Sequence, residues 1–308
     1  MTLIELIDHA AHQLDAAGVV FGHGTTNAFD EAAWLTLWQL GLAPDTSLAP
    51  PDEDPDPCAS QAITPEQQAE VAELVARRIA TRKPAAYLTQ EAWLQGVPFY
   101  VDERAIVPRS LIAEVLAEGT VDVWLGPHTQ RVLDLCTGNG SLAVLATMAW
   151  PEVEVVGADL SADALAVARI NVDKHGLAER IALVESDGLA AVPGPFDLIL
   201  CNPPYVNAES MAALPPEFRA EPELALSGNT AGGTDGMDFV RQLLADVPRH
   251  LREHGVLVLE IGHERDHFEA AFPRLEAVWL DTSAGGDQVL LLTLDALKAW
   301  QAEEPDRT

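Results

Sequence analysis

The chain has 308 residues, enough for two domains, one with a large core. Hydrophobic residues make up 48% and charged ones 21%, the balance of a soluble globular enzyme, and no apolar run nears the roughly eighteen residues of a membrane span. Acidic residues number 48 against 18 basic, a net charge of −30. That argues against unassisted binding to duplex DNA, which needs clustered Lys and Arg against phosphate.

The N-terminus MTLIELIDHA carries Glu5 and Asp8 and no basic leader, so it does not read as a signal peptide. Leu3, Leu6, Ile7, Ala10, Ala11 and Leu14 recur at helical spacing, as do Trp34, Leu37 and Trp38, with Gly41 placed to end that helix. APDTSLAPPDEDPDP, rich in proline and acid, reads as an exposed loop. Thr64-Pro65-Glu66-Gln67 is a helix start, and Ala69, Val71, Leu74, Val75 and Ile79 continue it. From Pro84 to Val107, aromatic and β-branched residues around Gln95-Gly96 predict a hairpin-like connector.

Strand and helix then alternate. Strands are expected at 131–135, 153–157, 181–184, 196–201 and 255–261, and two more near 277–280 and 288–294, joined by the turn DTSAGGD. Helices are expected after the glycine loop through Trp150, at 162–175 and at 240–250. Such βα alternation predicts an α/β fold with a mainly parallel sheet and ligands at the carboxyl ends of its strands. Cys58, Cys136 and Cys201 show no paired spacing and fit a reducing compartment, so the chain reads as cytoplasmic.

VLDLCTGNGSLA, residues 132–143, is strand, glycine loop and helix, with Gly138, Gly140 and Ala143 fitting G-x-G-x-x-[GA]. Asp159 ends the next strand about twenty residues on, where a carboxylate accepts from ribose hydroxyls. NAD and S-adenosylmethionine both satisfy this pattern. Asp134 tilts the choice, because a carboxylate before the loop repels a pyrophosphate but suits a sulfonium with an α-ammonium group. Ser186-Asp187-Gly188 closes the third strand, placed either to accept from an adenine amino group or simply to turn the chain.

The stretch ILCNPPYV, residues 199–206, ends a buried strand with an asparagine, two prolines and a tyrosine. A planar nitrogen has a delocalised lone pair and is a poor nucleophile. The Asn202 side-chain oxygen and the Pro203 carbonyl can each accept one N–H and hold both hydrogens off the line of attack. The prolines fix that carbonyl's direction, and Tyr205 offers a face to a flat substrate.

DLCTGNG, GADLS, ESDGL and NPPY, in that order, resemble a class I S-adenosylmethionine-dependent methyltransferase. The helical N-terminal part, the hairpin, VPRSLIAE, EPELAL, TDGMDF and LEIG resemble, more narrowly, the HemK-like protein-(glutamine-N5) methyltransferases. The resemblance spans nearly the whole chain. It implies a Rossmann-like, mainly parallel seven-stranded sheet at 108–308, behind a helical substrate-recognition domain at 1–84 and a β-hairpin connector at 85–107. It implies a cofactor, S-adenosylmethionine, held by Asp134, Cys136, Thr137, Gly138, Asn139, Gly140, Asp159, Asp187, Gly188 and Asn202. It also implies methyl transfer to a glutamine side chain at Asn202, Pro203, Pro204 and Tyr205, with Arg109 contacting the protein substrate.

Val107-Pro108-Arg109-Ser110-Leu111-Ile112 stands where the release-factor enzymes read I-P-R-P-E-T. The Pro-Arg-Ser form is similar to the branch acting on large-subunit ribosomal protein L-three, with peptide release factors as the rival substrate and adenine methylation of DNA a more distant one. An assembly factor that only binds a ribosomal protein would not need Asn202 and the glycine loop. Gln90 departs from a glycine common in the family's hairpin, Gly188 stands where the release-factor enzymes often carry an aromatic against adenine, and SGNTAGGTDG is longer than usual. The acidity suits either salt adaptation and solubility or attraction of a basic partner. His263-Glu264-Arg265-Asp266-His267 fits H-E-x-x-H, but His263 follows a strand directly and no third ligand is evident, so no metal is expected.

Overall fold

The computed structural model describes residues 1–49, 58–126 and 129–303; residues 50–57 of the acidic, proline-rich stretch lie outside it. The chain divides into two compact units. Met1–Ala92 and Leu214–Ala220 form the first, and Trp93–Ala213 with Glu221–Thr308 the second.

In the first unit, α1 (Leu3–Ala16) opens with a capping box between Thr2 and Glu5, and α2 (Ala28–Gln39) is capped by Asn27. α3 (Pro65–Thr81) opens with the box of Thr64 and Gln67, each satisfying the other's backbone N–H. One face of each helix supplies the core: Leu3, Ile7 and Leu14 from α1, Ala32 and Leu37 from α2, Val71 and Val75 from α3. A short helix, α4 (Ala85–Thr89), replaces the start of the expected connector. Five residues are too few to show a 3.6-residue period. Gln90 ends it at φ 54°, a left-handed position that suits the glycine common there.

A buried charge network also belongs to this unit. The Arg78 side chain is fully buried, with Nε 2.8 Å from Glu31 Oε1. Glu217, equally buried, lies 3.7 Å from Arg78 and 2.8 Å from Arg82 Nε. Its carboxylate also accepts the Val20 N–H. Glu217 therefore fastens residues 214–220 to helices that precede them by more than a hundred positions.

A hairpin of β1 (Ala92–Leu94) and β2 (Val97–Phe99) follows α4, turned by Gln95 and Gly96, both at positive φ as a tight hairpin requires. α5 (Ile112–Ala117) leads to β3 (Arg131–Leu135), α6 (Ser141–Ala149), β4 (Glu154–Asp159), α7 (Ala162–Lys174), β5 (Ile181–Glu185) and β6 (Phe196–Cys201). After β6 come α8 (Ala208–Ala213) and, within the first unit, α9 (Pro216–Arg219). α10 (Asp238–Asp246), β7 (Leu251–Glu260), α11 (Arg265–Ala271), β8 (Val278–Thr282), β9 (Gly285–Thr293) and α12 (Leu294–Glu303) complete the second unit.

Seven strands form one sheet in the order β5-β4-β3-β6-β7-β9-β8, parallel through β7 and antiparallel at β9 and β8. This is the expected mainly parallel α/β architecture. Strand alternation sorts the core. Leu133, Leu135, Ile199, Leu257 and Leu259 face one side, while Val132, Leu198, Leu200, Val256 and Val258 face the other. The order reverses between β3 and β6, which opens a crevice at their carboxyl ends.

Most boundaries differ from the expectation by one or two residues, and three differ by more. β7 begins at Leu251, before the expected Gly255, because Leu251 pairs with Phe196 through a register shift, with His254 at positive φ. The expected helix to His250 is α only to Asp246; Pro248 lacks an N–H to continue it, and Val247–Arg249 tighten to a 3-10 turn. β9 begins at Gly285, so part of the stretch read as a turn pairs with β8. Among the described residues, no helix is long and apolar enough to cross a membrane.

Candidate active site

The crevice is built from strand ends. Asp134 occupies the one polar position on an otherwise apolar face of β3 and is fully buried. Its Oδ2 accepts the Thr137 hydroxyl at 2.5 Å and the Ala143 N–H at 2.9 Å. It thereby caps α6, whose N-cap Gly140 has no side chain to do so. Its Oδ1 has no hydrogen-bond partner among the described residues. Burial pushes this carboxyl up to about 7, against the opposing pull of Thr137 and Ala143. A buried carboxylate oxygen without a partner is chemically suited to a cationic group.

At the end of β4, Asp159 accepts the Gly138 N–H on one oxygen and the Ser161 N–H on the other, each at 2.9 Å. Burial raises this carboxyl too, and those N–H groups offset it. Its remaining lone pairs suit two vicinal hydroxyls. The expected Gly-rich contacts are unequal. Gly138 is half-buried with its N–H given to Asp159, whereas Asn139 is buried and turned inward, its Oδ1 accepting from Ser141 and its carbonyl from Asn171. The Cys136 thiol is pushed well up by the Cys201 thiol beside it and then by burial.

At β5, Asp187 is exposed and Gly188 sits at φ 53°. An added Cβ at Gly188 would lie 3.9 Å from the Phe239 ring of α10. An aromatic therefore stands beside the position where the release-factor enzymes often carry one. The TDGMDF motif contained Phe239, but its spacing gave no sign of that neighbour.

Asn202 follows β6 directly. Its side chain is half-buried, and neither its amide nor the Pro203 carbonyl has a hydrogen-bond partner among the described residues. The Tyr205 ring lies against the backbone of Gly262, where an added Cβ would come within 2.6 Å of it. Burial raises the Tyr205 phenol strongly, and the neighbouring Glu260 adds to this. The chain beyond is held from the β7 side: Glu264 Oε1 accepts the Asn207 side-chain N–H at 2.7 Å, and its Oε2 lies 2.5 Å from His267 Nδ1. The H-E-x-x-H glutamate thus serves the NPPY loop. Among the described residues no group of three or more His, Cys, Asp or Glu is arranged to hold a metal.

Arg109 meets Glu221 in a two-pronged pair at 2.7 Å on each arm, and the Val107 N–H joins Glu221 at 2.9 Å. The guanidinium expected to contact substrate is therefore engaged inside the second unit. Nothing in VPRS indicated a partner 112 residues away.

A sheet of this order, with a glycine loop after its first strand and NPPY after its fourth, defines a class I methyltransferase fold, and residues 111–220 match the family Methyltransferase small domain. Over nearly its whole length the chain is similar to three curated relatives, each called a ribosomal protein uL3 glutamine methyltransferase. The one from Bordetella pertussis is 52% identical, covering 96% of both chains. That from Burkholderia pseudomallei is 48% identical over 97% of this chain and 96% of its own. That from Neisseria gonorrhoeae is 44% identical over 96% and 95%. The chain belongs to the family of ribosomal protein uL3 glutamine methyltransferases.

Proposed function

We propose that this chain methylates the side-chain amide nitrogen of one glutamine in ribosomal protein uL3, with S-adenosylmethionine as cofactor. The substrate assignment is carried by the 52% identity over 96% of the chain to a relative of that name. The chemistry is supported by the unpaired Asn202 amide and Pro203 carbonyl at the end of β6.

Bound S-adenosylmethionine supplies an electrophilic methyl carbon on a sulfonium. Asp134 presents its free Oδ1 to the cofactor's positive end, Asp159 takes the ribose hydroxyls, and Asp187, Gly188 and Phe239 border the adenine. Cys136, Thr137, Gly138, Asn139 and Gly140 shape the loop beneath it. The Asn202 side-chain oxygen and the Pro203 carbonyl would each accept one N–H of the substrate amide and turn the nitrogen lone pair toward the methyl group. As the N–C bond forms the S–C bond would break to a neutral thioether, and one N–H proton would leave to water. Pro204 stiffens the turn, Tyr205 supports the flat amide, and Arg109 braces the loop through Glu221.

The acidic chain draws in a basic ribosomal protein before RNA covers it, in the cytoplasm where uL3 is made. The first unit grips the substrate around the target glutamine. Labelled-methyl transfer at matched concentrations of uL3, a peptide release factor and DNA tests the assignment. Label should enter uL3 first, and the rate should fall with added salt, since screening shortens the attraction to roughly 10 Å at 0.1 M. Preference for the release factor would overturn the substrate while leaving the glutamine chemistry standing. Asp159→Ala should weaken S-adenosylmethionine binding by about 1–3 kcal/mol, the cost of lost hydrogen bonds to a charged group. Unchanged affinity by calorimetry would move the nucleotide elsewhere.

A further inference from the structure

We propose that Glu260 is a positioning residue for methyl transfer, gathering the Ser110–Ile112 turn so that Arg109 and Tyr205 hold one arrangement beside Asn202. This rests on the reading of Asn202, Pro203 and Tyr205 as the methyl-accepting site.

Glu260 ends β7. Because Cys201 pairs with Leu259, the next positions on the two strands are Asn202 and Glu260. The residue is 4% exposed, yet one carboxylate oxygen accepts three donors from a segment about 150 positions earlier. These are the Ser110 hydroxyl at 2.6 Å, the Leu111 N–H at 2.9 Å and the Ile112 N–H at 3.4 Å. A plain cap for the six-residue α5 would not need this, since the Ser110 hydroxyl already lies 3.2 Å from the Ile112 N–H. What the carboxylate adds is a fixed place for the turn. Glu221 pins its other end through Val107 and Arg109. Two buried carboxylates from separate segments thus lock Val107–Ile112 against the Tyr205 side of the crevice.

The groups facing Glu260 are Arg109 on the turn and the Tyr205 phenol on the loop after β6, and Glu264 and Glu221 also act on that phenol. Arg109 is paired with Glu221 and also attracts Glu260, so the arrangement of the turn depends on whether Glu260 is ionised. Burial pushes the Glu260 carboxyl up to about 7, with Ser110, Ile112, Leu111 and Arg109 pulling it down. Below that pH the carboxyl is neutral and its charge-assisted hold on the turn is lost; above it the hold is complete.

The test measures kcat of the full chain on uL3 from about pH 5.5 to about 9, at saturating S-adenosylmethionine so that titration of Asp134 does not intrude. Wild-type kcat should rise through about pH 7. Glu260→Gln should lose that rise and run about tenfold slower at pH 8, as for loss of one charge-assisted contact. Ser110→Ala removes a donor that favours the carboxylate, so its rise should move to higher pH. Both variants should bind S-adenosylmethionine within about twofold of wild type, since Asp134 and Asp159 lie on other strands. The proposal is overturned if Glu260→Gln keeps the wild-type rise, if Ser110→Ala leaves it unmoved, or if the loss is equal at every pH and tracks a fall in melting temperature. Normal turnover in Asn202→Ala would instead remove the underlying site, so the two failures are distinguishable.

Discussion

Asn202→Ala should lower kcat on uL3 by on the order of a hundredfold or more, equal to about 2.7 kcal/mol at 1.36 kcal/mol per factor of ten. S-adenosylmethionine affinity should change little. The reasoning starts from the amide nitrogen, whose lone pair is shared with its carbonyl. Two acceptors fixed on opposite sides can hold the hydrogens while the nitrogen pyramidalises. With Ala at 202 only the Pro203 carbonyl remains, and water competes for the second hydrogen. The Asn202 side chain has no hydrogen-bond partner among the described residues, so its removal orphans nothing and the fold should persist. Single-turnover measurement separates the chemical step from binding, and near-normal turnover would sink the mechanism.

The second large effect is expected at Arg78, far from the chemistry. Arg78→Met keeps much of the volume but leaves Glu31, 1% exposed, without its cation and Glu217 with Arg82 alone. Removing one partner of a buried ion pair costs about 3–5 kcal/mol. Burial already pushes the Glu31 carboxyl up, with Arg78 its chief counterweight. Without Arg78 its folded pKa rises further above the unfolded value, so the folded state takes up a proton that the unfolded state releases. The defect should therefore be largest near neutral pH and shrink as pH falls toward about 4.5, the usual carboxylate value. Denaturant unfolding at pH 5 and pH 7.5 checks both size and sign. A loss below about 1 kcal/mol, or one that grows in acid, would show that the network is solvated in solution.

What the sequence discloses follows the range of the interactions. β6 ends at Cys201 as expected, because an apolar run broken by Asn-Pro-Pro is a local signal. The Thr64–Gln67 box and the Gln95-Gly96 turn are local for the same reason. The charge of Asp134 is legible in its strand, yet its second task of capping α6 depends on Gly140 lacking a side chain. Glu260 and Ser110, Arg109 and Glu221, and Arg78 and Glu217 each join residues more than a hundred positions apart. No period or turn chemistry carries such pairings. Phe239 escaped because an aromatic on a helix reads as packing until Gly188 is placed beside it.

The first unit takes its last seven residues, Leu214–Ala220, from beyond β6. On the ribosome that order has a consequence in time. Arg78 and Arg82 emerge long before the glutamate they share, so the N-terminal helices must wait, incompletely neutralised, while β3 to β6 are synthesised. At roughly 5–20 residues per second the delay lasts several seconds or more. The first part of the protein to be made is thus completed only after the NPPY loop has been synthesised.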